Sequence, residues 1–262
     1  MPQTWGRLLR AAVGLFVILA LFSPWGLAHG QSTDDSLRIY AVNIVRDPPQ
    51  EWTGYGIYLG NGLVITAAHV VGRAARTRPS VRIAGMELPA TAIKEGWFER
   101  QPGNGLGALV ELALGVQDLT LLSIDEHKLP PSLRMRRMPL CDNPPWVGEP
   151  VIVAIPEGTA RSHIMSPFLI QASLRARFST LISDVATTGN SGSGVFDATR
   201  KCLLGIMSRK IQARLLGAGS EAKLRDIAKY FVPASVIRQF IPAEYRFRIG
   251  LAAASRSAER GL

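Results

Sequence analysis

Between residues 37 and 232 the apolar residues fall in short β-rich runs separated by glycine, proline, asparagine and serine. Many short strands of this kind specify an all-β domain that closes into barrels. The first set covers 37–45, 54–59, 63–66, 80–84, 90–94, 108–114 and 119–124. Its second and third runs flank Gly60-Asn61-Gly62, an Asn-Gly hairpin turn. Residues 125–137, with Pro130-Pro131 and a cluster of basic side chains, break the pattern and read as the connection between two halves. A second set follows at 150–155, 168–174, 178–183, 194–197, 202–208 and 229–232. Pro233 then precedes Val236, Ile237, Phe240 and Ile241, a spacing that suits a short C-terminal helix over about 233–241.

The ends differ in character from the middle. Arg7 and Arg10 precede an uncharged run over 11–22, Pro24 breaks it, and Ala28-His29-Gly30 offers small residues around a cut before Gln31. Residues 1–30 read as a secretory signal peptide, with an uncleaved anchor as the alternative. Both readings export the domain to the periplasm or beyond. Residues 246–262 are small, polar and basic and read as a loosely ordered tail. The remainder, 31–245, holds two barrels at about 37–125 and 137–232. An exported chain with two cysteines, Cys141 and Cys202, favours one disulfide over two buried thiols. Neither these nor the histidines have metal-ligand spacing, so the sequence calls for no zinc and no cofactor. The formal charge of +10, to which the leader contributes only Arg7 and Arg10, gives a basic surface without any nucleic-acid-binding motif. No nucleic-acid partner is expected, nor stable membrane association once the signal is removed, and the sequence assigns no oligomeric state.

Residues 187–196, Thr-Thr-Gly-Asn-Ser-Gly-Ser-Gly-Val-Phe, form a glycine-rich turn running into an apolar strand. A serine hydroxyl is a poor nucleophile at neutral pH, so it needs a base beside it and N–H groups aimed at the developing oxyanion. Glycines around Ser191 let a substrate carbonyl approach the main chain, with the N–H groups of Gly189 and Ser191 as the oxyanion donors. His69, in Thr66-Ala67-Ala68-His69-Val70 just past the hairpin, supplies the base. Asp118 heads the apolar run at 119–124, where a carboxylate without a partner would be costly. The α/β-hydrolase elbow does not fit, since neither Ser191 nor Ser193 centres a Gly-x-Ser-x-Gly and no histidine follows them.

Thr-Ala-Ala-His, the Asp118 segment and Gly-Asn-Ser-Gly-Ser, in the order His, Asp, Ser, resemble the chymotrypsin-like (trypsin-fold) serine peptidases over about residues 37–241. The serine loop is similar to that of the bacterial glutamyl endopeptidases and HtrA-like enzymes, and the length leaves no room for an added PDZ domain. The resemblance implies two packed antiparallel β-barrels and an endopeptidase acting on polypeptides through an acyl-enzyme, with Ser191 attacking, His69 as base and Asp118 orienting it. It selects Ser191 over Ser193, because Ser191 alone follows Gly-Asn and precedes Gly. It implies that Ser208 supports Asp118, and that Val185, Thr187, Thr188, Met207, Ser208 and Arg209 border the substrate. Val185, at the base of the specificity pocket, argues against Arg/Lys preference. Met207 stands where glutamyl endopeptidases carry the histidine that binds an acidic side chain. Comparable strands in relatives are often bridged by a disulfide. Digestive relatives are activated when a new N-terminal ammonium pairs with an aspartate before the nucleophile, a position occupied here by Asn190, and Ile44-Val45-Arg46-Asp47 lacks the glycines that usually follow such a cut. Arg209 and Lys210 depart from the aromatic and glycine residues usual on the substrate-pairing strand, and they motivate the alternative of a trypsin-fold binding module without catalysis.

Overall fold

The computed structural model describes residues 34–47, 54–96, 118–170, 172–175, 178–183, 190–215 and 223–250. The strands of these residues form two closed antiparallel barrels. In the first, β1 (Ala41–Val45), β2 (Gly54–Gly60), β3 (Leu63–Thr66), β4 (Ser80–Ile83), β5 (Met86–Glu95) and β6 (Thr120–Ile124) are ordered β1-β2-β3-β6-β5-β4, with β4 pairing back onto β1. The second is built from β7 (Pro150–Ile155), β8 (Gly158–Met165), β9 (Leu181–Ile182), β10 (Gly194–Asp197), β11 (Leu203–Leu215) and β12 (Lys223–Pro233). Its order, β7-β8-β9-β12-β11-β10 with β10 closing on β7, retraces the path of the first. Closure removes the unpaired edges that an open sheet of this size would expose.

Side-chain alternation explains why several strands are apolar on both faces. Tyr58, Val64, Leu122 and Val81 fill the first barrel, and Val151, Val153, Val195, Leu204 and Phe231 fill the second. The intervening residues Ile57, Leu59, Leu63, Ile65 and Leu121 point the other way and join Ile152, Ala154, Phe196, Leu203 and Ile206 in one cluster shared by the two barrels. Each fully buried side chain of this kind contributes about 1.5–3 kcal/mol. The shared cluster therefore holds the barrels in a fixed relation, which a site built from both requires.

The β2–β3 hairpin turns at Asn61 and Gly62, both with positive φ (51° and 73°), the conformation that an Asn-Gly pair adopts readily. Residues 125–137 do connect the halves, through a turn at Glu126–Lys128 and a helical turn at Pro131–Arg134, and Met138 N–H then bonds to the Leu59 carbonyl. The helix Ala234–Phe240 buries Ile237 and Phe240 in the shared cluster, as its spacing predicts.

Four local expectations differ from the structure. Residues 37–40 belong to a 3-10 helix, Asp35–Tyr40, rather than to β1, because Leu37 is drawn into the shared cluster while Asp34 is anchored by Arg161 (2.7 Å) and Lys201 (2.9 Å). Burial raises the cost of that carboxylate's charge, but the two cations outweigh it and hold Asp34 below the usual carboxylate range. Of residues 168–174, expected as a strand, 168–169 lie in the turn Pro167–Leu169, which Ser166 and Pro167 start, and 172–174 in the helical turn Ala172–Arg175. Conversely β8, whose Gly-Thr-Ala-Arg-Ser-His stretch lacks an apolar pattern, is a full strand carrying His163. Its exposed face needs no apolar residues. Finally, Phe247–Ile249 forms a helical turn with Ile249 in the shared cluster, so the packed chain runs past residue 245. The leader 1–30, the run 108–114 and residues 251–262 lie outside the described residues.

Candidate active site

His69 occupies a single helical turn, Ala68–Val71, that caps the end of β3. Ala68, Val70 and Val71 are buried against the first barrel, which leaves the imidazole as the turn's outward side chain, about one third exposed. Asp118 stands at the head of β6 and is 4% exposed. Its two oxygens grip His69 twice: Oδ1 accepts from the backbone N–H at 3.0 Å and Oδ2 lies 2.7 Å from Nδ1. Ser208 adds a third bond, its Oγ donating to Oδ2 at 2.6 Å.

These contacts set the charge of the site. Burial pushes the Asp118 carboxyl upward, but the hydrogen bonds and charge of His69 and the bond from Ser208 outweigh it and bring it below the ordinary range. The carboxylate is therefore ionised at neutral pH and can only accept. A neutral imidazole facing it carries its proton on Nδ1, which leaves Nε2 as an acceptor. In this tautomer the ring nitrogen able to accept a proton is the one turned away from Asp118.

The serine loop comes from the second barrel and is clamped on both sides. The Ser191 carbonyl accepts from Tyr55 N–H of β2 at 3.0 Å, while Gly192 N–H donates to the Met207 carbonyl and Met207 N–H to the Ser193 carbonyl, each at 2.8 Å. Gly192 must be glycine twice over. Its φ is +87°, and a Cβ would stand 1.8 Å from the Tyr55 oxygen. Ser193 is fully buried, with its N–H and Oγ both on the Asn190 carbonyl (3.0 and 2.6 Å). Ser191 is only partly buried, and its Oγ donates to the Ser208 carbonyl at 3.4 Å. Ser208 therefore touches Asp118 with its hydroxyl and Ser191 with its carbonyl.

Of the residues singled out in the sequence, His69, Asp118, Ser191 and Ser208 are brought together. Met207 contributes backbone to the loop, while its side chain is 1% exposed and belongs to the second-barrel cluster, so it is no surface contact for substrate. Arg209 is half-buried beside Ser208, at an irregularity in the β11–β12 ladder opposite Tyr230. Gly189, Val185, Thr187 and Thr188 lie outside the described residues. Cys141 and Cys202 form a disulfide, with Cα atoms 5.1 Å apart, joining the approach to β7 to the start of β11.

The sequence did not single out Tyr55, Thr66 or Tyr230. Tyr55 holds the serine loop through its N–H, and Thr66 Oγ1 donates to its carbonyl. Its phenol meets the Asn190 side chain and is pushed up by burial and the Glu157 charge, against that hydrogen bond. Only the glycines on either side of Tyr55 hint at close backbone approach. Tyr230 is pushed up to about 12, by burial first and by the Asp118 charge second, against the pull of Arg209. It stays protonated beside the carboxylate.

The sequence profile of the trypsin-like peptidase domain matches residues 54–206. Among solved structures the chain is similar to the Rv3671c protease from M. tuberculosis, at 16% identity over 82% of this chain and 83% of that one, with a TM-score of 0.49. It is similar also to the serine endoprotease from Yersinia pestis (18%, 78% and 61%, 0.49) and to the MamO protease domain from Magnetospirillum magneticum (19%, 79% and 97%, 0.45). No curated protein sequence matches the chain.

Proposed function

The chain belongs to the trypsin-like peptidase family and is a serine-type peptidase, and from that premise we propose that it is an exported endopeptidase working through Ser191, His69 and Asp118. The observation that carries this reading is the double hold of Asp118 on His69 next to a partly exposed Ser191. In the reaction, Ser191 Oγ turns from the Ser208 carbonyl to His69 Nε2, gives up its proton there and attacks the scissile carbonyl carbon. Apo sites commonly hold such contacts loosely until substrate enters.

The tetrahedral oxyanion is received by the N–H groups of Gly189 and Ser191. His69 then returns the proton to the leaving amine, the C–N bond breaks, and the acyl group stays on Ser191. Water deacylates by the same steps in reverse, with His69 again as base. Asp118 remains ionised throughout and stabilises the imidazolium. Ser208 and Tyr230 act through Asp118 and are positioning residues. The substrate is a polypeptide whose backbone lies along β11 beside Ser208 and Arg209.

Export rests on the leader at 1–30 and on the disulfide, a bond that persists in oxidising compartments. Among the described residues no helix is long and apolar enough to cross a membrane. The peptidase domain begins at 31 in this reading, after the signal, and its packed part reaches Ile249, past the boundary of 245 expected from the sequence and into the start of the basic tail. Pre-steady-state hydrolysis of an activated ester tests the chemistry. The expected result is a burst of leaving group equal to the enzyme concentration and an acyl mass on the peptide containing Ser191. Folded protein without a burst or adduct supports the non-catalytic module instead.

A further inference from the structure

The tip of the β2–β3 hairpin gathers basic residues from two distant parts of the chain. Asn61 accepts a hydrogen bond from Arg137 Nη2 on its Oδ1 and donates from Nδ2 to the Arg248 carbonyl. A Cβ on Gly60 would meet Arg137 Cδ and the Arg136 carbonyl, and one on Gly62 would lie 3.5 Å from the Glu126 side chain. The connection between the barrels, 125–137, and the C-terminal turns Ala243–Arg246 and Phe247–Ile249 thus converge on this tip. Together they carry Lys128, Arg134, Arg136, Arg137, Arg246 and Arg248 against Asp125, Glu126 and Glu244, so positive charge is in excess even with every acid engaged. The guanidinium partners are neutral: Arg137 also donates to the Arg134 and Arg136 carbonyls, Arg246 donates to those of Gln239 and Ile241, and Arg248 lies over the Tyr245 ring. Among the described residues none of these cations forms an ion pair, and Lys128, Arg136, Arg137 and Arg248 are exposed.

Two large apolar side chains stand in the same patch. Met135 is 83% exposed and Phe247 89% exposed. A single exposed apolar residue needs no explanation, but each of these is flanked on both sides by arginine, as Arg134-Met135-Arg136 and Arg246-Phe247-Arg248. Apolar tips among cations suit a membrane interface, where the tips enter the acyl boundary and the guanidinium groups bind phosphates. A soluble polyanion would engage the cations and leave Met135 in water. We infer that this face binds the surface of a bilayer containing anionic phospholipid. The contact is peripheral and reversible, and it revises the expectation that the protein without its leader stays clear of membranes. It does not rest on the peptidase chemistry. The hairpin places it well for a working enzyme: Asn61 is at one end, whereas Thr66, leading to His69, is about 13 Å of strand away at the other. A protein held by the hairpin tip keeps its active site turned to solvent.

Flotation with phospholipid vesicles tests this, using protein that begins at Gln31 so that the leader contributes nothing. Partitioning onto vesicles of equal parts phosphatidylglycerol and phosphatidylcholine is expected to exceed that onto phosphatidylcholine alone by about tenfold or more, with most of the difference lost at about 0.5 M NaCl. Two combined variants separate the sources of binding, each checked for wild-type circular dichroism. Arg136→Glu with Arg248→Glu should lose the preference for phosphatidylglycerol. Met135→Ser with Phe247→Ser, which leaves the charge unchanged, should lower partitioning about tenfold while binding soluble polyglutamate as the wild type does. Equal partitioning of the wild type onto both kinds of vesicle, or a folded arginine variant that floats like the wild type, overturns the proposal. A folded Met135 and Phe247 variant that partitions like the wild type also overturns it, since the patch would then read anions without a bilayer.

Discussion

Ser208 and Asp118 stand 90 residues apart in the chain, one on each barrel, and are joined by a 2.6 Å hydrogen bond. The bond crosses the line along which the site is assembled, so the carboxylate that orients His69 is itself oriented by the barrel that carries Ser191. A hydrogen bond to a charged group contributes about 1.5–3 kcal/mol. Ser208→Ala should therefore lower kcat about 10- to 100-fold with little change in KM, since the carbonyl that borders the substrate is kept. Ser208→Thr, which keeps the hydroxyl, should recover much of the loss. Steady-state kinetics of both variants check this, and a rise in KM alone would assign Ser208 to substrate binding.

The lowered pKa of Asp118 fixes the sign of a stability effect. A carboxyl whose folded value lies below its unfolded value contributes stability that is complete above the ordinary carboxylate range, about 4, and is lost as pH falls through the folded value. Melting temperatures of the wild type and of Asp118→Asn should thus differ most at neutral pH and converge on acidification below about pH 4. A gap that widens in acid would mean that burial, and not the bonds from His69 and Ser208, governs this carboxyl.

The disulfide closes a loop with a sequence separation of 61 residues around β7 to β10. On loop length, its removal should cost about 2–5 kcal/mol, through the greater freedom of the unfolded chain. The double variant Cys141→Ser and Cys202→Ser should unfold at correspondingly lower denaturant while its β-sheet circular dichroism is kept. An unchanged midpoint would show that the second barrel stands without the bridge.

Activation by a new N-terminus near Ile44 is incompatible with the fold. Ile44 is 4% exposed and sits within β1, paired with Gly54 and Val81. A cut there opens the first barrel, and Asn190 offers an amide, not a carboxylate, to a new ammonium. Protein beginning at Gln31 with a tag still fused ahead of it should titrate with the same number of reactive serines as the untagged form. Reactive serine appearing only after cleavage near Ile44 would contradict this.

Most of the barrel strands could be read because their residues are apolar on alternating or on both faces, and β7 and β10 end where their apolar runs end. β8 was not legible, since it meets solvent on one face and pairs through backbone groups that any sequence provides. The apolar run at 168–174 misled for the opposite reason: Phe168 and Leu169 are exposed, and Pro167 starts a turn where a strand would need a donor. At the site, His69, Asp118 and Ser191 announce themselves through short motifs. Tyr55 was invisible because it works through its N–H, and only the clash that forbids a side chain at Gly192 shows how closely β2 approaches the serine loop.

The central claim is that Ser191 is the nucleophile and Ser193 is not. The geometric ground is that Ser193 Oγ is spent on the Asn190 carbonyl in a fully buried position, while Ser191 Oγ is partly exposed beside Ser208. The most direct measurement is labelling of the wild type, Ser191→Ala and Ser193→Ala with a fluorophosphonate, followed by peptide mapping. The account predicts one adduct, on Ser191, in the wild type and in Ser193→Ala, and none in folded Ser191→Ala. An adduct that survives in Ser191→Ala, or that disappears in folded Ser193→Ala alone, would contradict it.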